Sequence, residues 1–156
     1  MTSHPAPRPA PAALTRRVVV LGSTGTIGTN TLDVIARNPG RFEIYALAAN
    51  RGLERLVEQC LRFRPAVAVL RDESRVAELA RALREAGLPT RALGGEEGMA
   101  AAASAPEADV VVAGVVGAAG LRSALAAVQA GKTLLLANKE TLVCAGRVFM
   151  DAVRRH

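Results

Sequence analysis

Short β-branched runs alternate with helix-periodic stretches along almost the whole of this chain. Arg17-Val-Val-Val-Leu21 predicts a strand that stops at Gly22. Apolar Ile27, Leu32, Val34 and Ile35 then predict a helix that closes around Asn38-Pro39-Gly40. Phe42 to Ala48 reads as a second strand, and Leu53, Leu56, Val57, Cys60 and Leu61 mark a helix closed by Pro65. Ala66 to Leu70 is a third strand, followed by an arginine- and glutamate-rich helix over Glu73 to Glu85 that Gly87-Leu-Pro89 ends. A short strand at Thr90 to Leu93 leads through Gly94-Gly95 into an alanine-rich helix near Glu96 to Ala103. Asp109 to Ala113 reads as a central buried strand, Leu121 to Ala130 as a helix stopped by Gly131, and Thr133 to Leu136 as another strand. A helix near Gly146 to Arg155 closes the pattern.

Strand and helix alternating at this spacing, without an internal repeat, define an α/β domain. Right-handed crossovers then give a Rossmann-like, doubly wound, mainly parallel sheet with helices on both faces. Residues 1–15, rich in Pro and Ala, read as a disordered N-terminal tail, and 16–156 as one nucleotide-binding domain. Ligands on such sheets lie at the carboxyl ends of the strands, beside the point where the strand order reverses.

Composition narrows the picture. Half of the 156 residues are hydrophobic but only 3% are aromatic, so the core is aliphatic, as suits buried parallel strands. The net charge of +6 comes from arginines set singly beside glutamates (Arg55, Arg62, Arg75, Arg81, Arg84) and from the chain ends. With no basic block and no aromatic platform, a nucleic-acid partner is not expected. Cys60 and Cys144 lack metal-ligand spacing and read as reduced, semi-buried residues of a cytoplasmic protein. No apolar run is long enough for a membrane span.

Chemistry gathers in loops that follow strands. Gly22-Ser-Thr-Gly25-Thr-Ile-Gly28 leaves the first strand and opens the first helix. Gly22 permits the tight turn, Gly25 lets the backbone approach a pyrophosphate, and Gly28 allows close helix–strand packing. Free N–H groups at the helix start meet phosphate, and Thr24 and Thr26 add hydroxyls. The G-x-x-G-x-x-G spacing goes with NADP. After the second strand the chain reads Ala48-Ala-Asn50-Arg51-Gly52, with no carboxylate for a ribose 2′-hydroxyl. Arg51 can pair with a 2′-phosphate and Asn50 can donate to it, which favours NADP(H) over NAD(H). The alternative is a solvated arginine at the start of the next helix.

Two later loops add to this. Val115-Val-Gly117-Ala-Ala-Gly120 leaves room for a flat ligand, and Leu136-Ala-Asn138-Lys139-Glu140-Thr-Leu-Val143 places three polar groups directly after a strand. Glu140 as a helix cap with a solvated Lys139 is the plainer alternative. Taken in order with Gly131-Lys132 and Gly146-Arg-Val-Phe-Met-Asp151, these segments resemble the N-terminal NADPH-binding domain of the 1-deoxy-D-xylulose 5-phosphate reductoisomerases, over nearly all of Val18 to His156.

That resemblance implies an oxidoreductase of non-mevalonate isoprenoid synthesis. The family rearranges deoxyxylulose phosphate to an aldehyde and reduces it with NADPH to 2-C-methyl-D-erythritol 4-phosphate. It implies pyrophosphate contacts from Thr24, Gly25, Thr26 and Ile27, and a place beside the adenosine ribose phosphate for Asn50, Arg51 and Gly52. Asn138 and Glu140 would hold the nicotinamide half, and Lys139 would touch the substrate. Where relatives often show Gly-Lys-Asn, this chain has Asn50-Arg51-Gly52. The family's divalent metal (Mg or Mn) is held by an Asp-Ser-Glu stretch and a further glutamate, and these 156 residues contain no such stretch. The phosphate clamp, lid and C-terminal domain are likewise missing, so the chain alone is expected to be inactive and the homodimer to belong to the complete enzyme. A non-catalytic NADP(H)-binding module is the competing reading. A semialdehyde dehydrogenase would need Cys144 as nucleophile, with no histidine near it in sequence.

Overall fold

The computed structural model describes residues 14–115, 118–137 and 140–156; the side chains of 118, 140–142 and 144 lie outside that description. Six strands form one parallel sheet: β1 Arg16–Leu21, β2 Phe42–Ala49, β3 Val67–Leu70, β4 Arg91–Gly94, β5 Val110–Ala113 and β6 Thr133–Leu136. Their order across the sheet is β4-β3-β2-β1-β5-β6. The helices are α1 Thr26–Ala36, α2 Leu53–Phe63, α3 Val76–Glu85, α4 Gly95–Ser104, α5 Leu121–Gln129 and α6 Glu140–Arg155.

Burial follows the pleat. Val18 and Val20 of β1 pack with Leu32 and Ile35 of α1, Leu56 and Cys60 of α2, and Leu79 and Leu83 of α3. Val19 and Leu21 point the other way, toward Met99 and Ala102 of α4 and Ala127 of α5. Each helix thus presents an apolar stripe to one face of a sheet buried on both. One irregularity keeps the sides in phase. Val18 pairs with Ile44 but Val19 pairs with Ala46, so Tyr45 is a bulge. Beyond it Leu47 meets the α2 face and Ala46 and Ala48 meet the α4 face. Without the extra residue the two sets would exchange sides.

Helix ends follow the sequence signals. Arg64 closes α2 in the left-handed region (φ 48°, ψ 53°) immediately before Pro65. Two boundaries differ from expectation. The helix expected from Glu73 begins as a 3₁₀ turn, Glu73–Arg75, because Asp72 caps Ser74 before α3 starts at Val76. The last helix starts at Glu140 rather than near Gly146, with non-helical angles at Ala145 (φ −136°, ψ 23°) that break its periodicity. Cys60 is fully buried rather than semi-buried. On the α1 side, beyond β5, an apolar groove of about 370 Å³ opens beside Ile27, Val34 and Leu135.

Candidate functional site

The chain winds outward from β1 through β2, β3 and β4, then returns to lay β5 against the other side of β1. The strand order therefore reverses between β1 and β5, and the loops after these strands flank a crevice. Gly22 leaves β1 with φ +79°, and a β-carbon there would stand 2.9 Å from the Gly114 carbonyl oxygen. Both the Gly22 and the Ser23 N–H groups donate to the Ala48 carbonyl at 2.8 Å, pinning the turn to the end of β2. From α2, the Gln59 amide donates to the Ser23 carbonyl at 2.8 Å. Ser23 itself is buried, and its Oγ has no partner among the described residues.

The three glycines of the loop do different work. At Gly28 a β-carbon would lie 2.3 Å from the Gly22 oxygen and 2.4 Å from the Ser23 Cα, so α1 sits against the loop only because that side chain is missing. Gly25 is otherwise: its β-carbon would meet only the Gly22 oxygen, at 3.4 Å. The protein's own packing does not require glycine there, and the residue borders the crevice. Gly25 is the N-cap of α1 and no side chain caps that helix, whose first turn bond runs from the Thr29 N–H to the Gly25 carbonyl. The N–H groups at Thr26, Ile27 and Gly28 precede the first such bond, an arrangement that suits an anion.

Two adjoining cavities follow the carboxyl edge of the sheet. The inner one, about 250 Å³, is lined by Gly22, Thr24, Gly25, Ala49, Asn50, Arg71, Met99, Gly114, Val115 and Ala119. The outer one, about 480 Å³, is lined by Asn50, Arg51, Arg71, Asp72, Glu73, Ser74, Gly95 and Glu96. Asn50 and Arg71 belong to both and mark the junction.

Charges around the outer cavity are arranged rather than scattered. Arg75 donates to Glu78 at 2.8 and 2.9 Å, to Glu54 at 3.2 Å and to the Arg51 carbonyl at 3.2 Å. Those bonds hold Glu78 below the usual carboxylate range and push the Arg75 guanidinium further up. The hydroxyl of Ser74 lowers Asp72, with help from the nearby Arg51 and Arg75 charges. Arg51 is exposed, and its guanidinium makes no ion pair among the described residues.

The residues expected from sequence therefore fall into three groups. Thr24, Gly25, Asn50 and Arg51 meet at the two cavities, with Gly52 beside Thr24. Thr26 opens α1, while the Ile27 side chain lines the apolar groove on the sheet face and lies close to Gly114. Asn138 and Lys139 lie outside the described residues, as do Val116, Gly117 and the Glu140 side chain. Arg71, Met99 and Gly114 were missed. Arg71 had a legible signal, since it is the first residue after a strand whose carboxyl end faces the crevice. Among the described residues no group of three or more His, Cys, Asp or Glu side chains is placed to hold a metal ion.

Turn, uncapped helix and crevice at the reversal point put the chain in the class of Rossmann-like α/β domains. Its membership is narrower than that: the family model for 1-deoxy-D-xylulose 5-phosphate reductoisomerase matches residues 18–146, and the chain belongs to this family. The reductoisomerase of Nitrosomonas europaea is 54% identical over 142 residues, covering 91% of this chain and 34% of that protein. That of Paraburkholderia xenovorans is 54% identical over 139 residues, covering 89% and 35%. A crystal structure of DOX-P reductoisomerase in complex with NADPH, fosmidomycin and magnesium superposes with a TM-score of 0.88 at 40% identity, covering 90% of this chain and 34% of that one. The Zymomonas mobilis enzyme in complex with NADPH gives 0.86 at 44% identity, covering 91% and 37%. The chain thus spans about a third of the length of the relatives it matches.

Proposed function

We propose that this chain is the NADPH-binding part of a 1-deoxy-D-xylulose 5-phosphate reductoisomerase. The observation that carries the reading is Gly25, which borders the inner cavity and where a β-carbon would meet only the Gly22 oxygen at 3.4 Å, so that the fold itself leaves the position open. The loop and the first N–H groups of α1 hold the pyrophosphate, with Thr24 and Thr26 adding hydroxyl donors and Ile27 its backbone. Arg51 and Asn50, with Gly52 behind them, take the ribose 2′-phosphate. Asn138 and Glu140 hold the nicotinamide half, and Lys139 contacts deoxyxylulose phosphate. When bound, the cofactor supplies the hydride that reduces the rearranged aldehyde.

The complete enzyme adds what these residues do not offer: carboxylates for magnesium or manganese, a clamp for the substrate phosphate, a lid and a dimer interface. Its setting is cytoplasmic, and its product feeds isoprenoid synthesis. Fluorescence titration of the 156-residue chain with NADPH and NADH tests the reading. NADPH is expected to bind more tightly, and Arg51→Asp to reduce or reverse the preference. Equal affinities in the unmutated chain would refute the assignment of Arg51.

A further inference from the structure

The reading above assigns the phosphates but leaves the adenine base without a partner. A purine is held on a protein surface by stacking on a planar group, an aromatic ring or a guanidinium. The chain has one Tyr and three Phe and no Trp, and no aromatic side chain lines either cavity.

A planar cation stands at their junction instead. Arg71 follows β3 directly, and its backbone N–H donates to the Ala49 carbonyl at 2.9 Å. Its Nε donates to the Glu96 carboxylate in a pair only about one-third exposed on each side. The two terminal nitrogens have no other partner among the described residues. A guanidinium tethered through Nε keeps its orientation, and Arg71, which lines both cavities, can present a π face to a base lying in them. Neither neighbouring arginine can serve in its place: Arg75 is occupied by Glu54 and Glu78, and Arg51 does not reach the inner cavity. On the reading above the 2′-phosphate falls to Arg51, whereas Arg71 is already paired with Glu96 and has Asp72 and Glu73 beside it in the outer cavity, so it is suited to a neutral base rather than to a second phosphate. Those carboxylates are also acceptors for an exocyclic amine.

Resting on the NADPH reading, we propose that Arg71, positioned by Glu96, stacks on the adenine base and sets the affinity for the adenosine half without discriminating the 2′-phosphate. The test titrates the full 156-residue chain with NADPH, NADH and ADP. Arg71→Met is expected to weaken all three by one common factor, on the order of tenfold, leaving the NADPH-to-NADH ratio and the unliganded melting temperature unchanged. Arg71→Lys keeps the charge without the plane and recovers little of the loss. Glu96→Ala weakens binding less, and the double variant binds no more weakly than Arg71→Met alone. Unchanged affinities in Arg71→Met, or a loss confined to NADPH, would overturn the stacking role while leaving the cofactor reading intact. An unmutated chain that bound none of the three would overturn both.

Discussion

Gly25→Ala and Gly28→Ala add the same methyl group three residues apart and are expected to fail in opposite ways. At Gly28 the new β-carbon would sit 2.3, 2.4 and 2.6 Å from backbone atoms of Gly22 and Ser23, none of which can swing aside like a flexible side chain. The first turn of α1 must shift away from the loop. Overpacking of this kind costs about 1–3 kcal/mol, which for a domain of this size lowers the melting temperature by about 2–4 °C per kcal/mol. At Gly25 the backbone is extended (φ −81°, ψ 175°), a conformation any residue adopts, and the nearest atom is 3.4 Å away. The fold loses only the small N-cap advantage of glycine over alanine, about 0.5–1 kcal/mol. The methyl instead occupies the space through which a pyrophosphate would approach, and Gly25→Val fills more of it. Thermal melts by circular dichroism separate the stability effects, and NADPH fluorescence titration reads binding. Gly25→Ala should stay close to the parent in melting temperature and lose most of its NADPH affinity; Gly28→Ala should melt several degrees lower. A Gly28→Ala protein as stable as the parent, or a Gly25→Ala protein that binds NADPH normally, would show that the roles of the glycines are misassigned.

Burial pushes the Cys60 thiol up to about 12, from an ordinary value of 9.0. The folded chain thus holds this proton more tightly than the unfolded one, so stability is full below pH 9 and falls as pH climbs from there toward 12. Urea titrations at stepped pH should show that fall and find it shallower in Cys60→Ala; at neutral pH, fast alkylation of Cys60 in the folded chain would contradict the burial. Residues 1–156 alone should neither rearrange deoxyxylulose phosphate nor consume NADPH in its presence, with or without magnesium or manganese, because one lysine cannot hold two substrate oxygens for carbon–carbon migration. A saturable, metal-dependent decay of NADPH absorbance would refute this. Joining on a segment that carries the metal ligands should restore turnover, which Lys139→Ala then damages while sparing NADPH binding.

Periodicity was enough to locate every strand, since a β-branched run ending at glycine, proline or a polar residue admits few other readings. It failed where a boundary depends on side-chain geometry. The Asp72 cap on Ser74 and the angles of Ala145 leave no trace in hydrophobic spacing. The Tyr45 bulge was equally hidden, because every residue of Phe42–Ala49 except Glu43 is a plausible strand residue in either register. The glycine loop was readable because Gly22 and Gly28 obey local constraints of turn and packing and Gly25 falls between them at the spacing of a phosphate-binding loop. The place of Arg71 at the end of β3 was legible too, but its pairing with Glu96 was not, because that partner lies 25 residues on and only the adjacency of β3 and β4 brings the two together.

The return of β5 to the side of β1 also sets an order of events. β1 to β4 pair with their neighbours in sequence, each closure spanning one helix. The pairing of Val18 with Val110 must close a far longer loop, as must the bond from the Arg17 N–H to the Asp109 carboxylate across 92 residues. Contacts of such separation form late in folding. Until they form, the inner edge of β1 stands bare, an unpaired strand of Val and Leu open to pairing with another chain. The glycine loop, meanwhile, lacks the Gly114 wall against which it turns. During synthesis on the ribosome the loop therefore emerges long before it can hold anything. On the NADPH reading proposed above, a nucleotide would act on this domain as a reward for completion: it would stabilise the closed sheet and offer nothing to the half-made one.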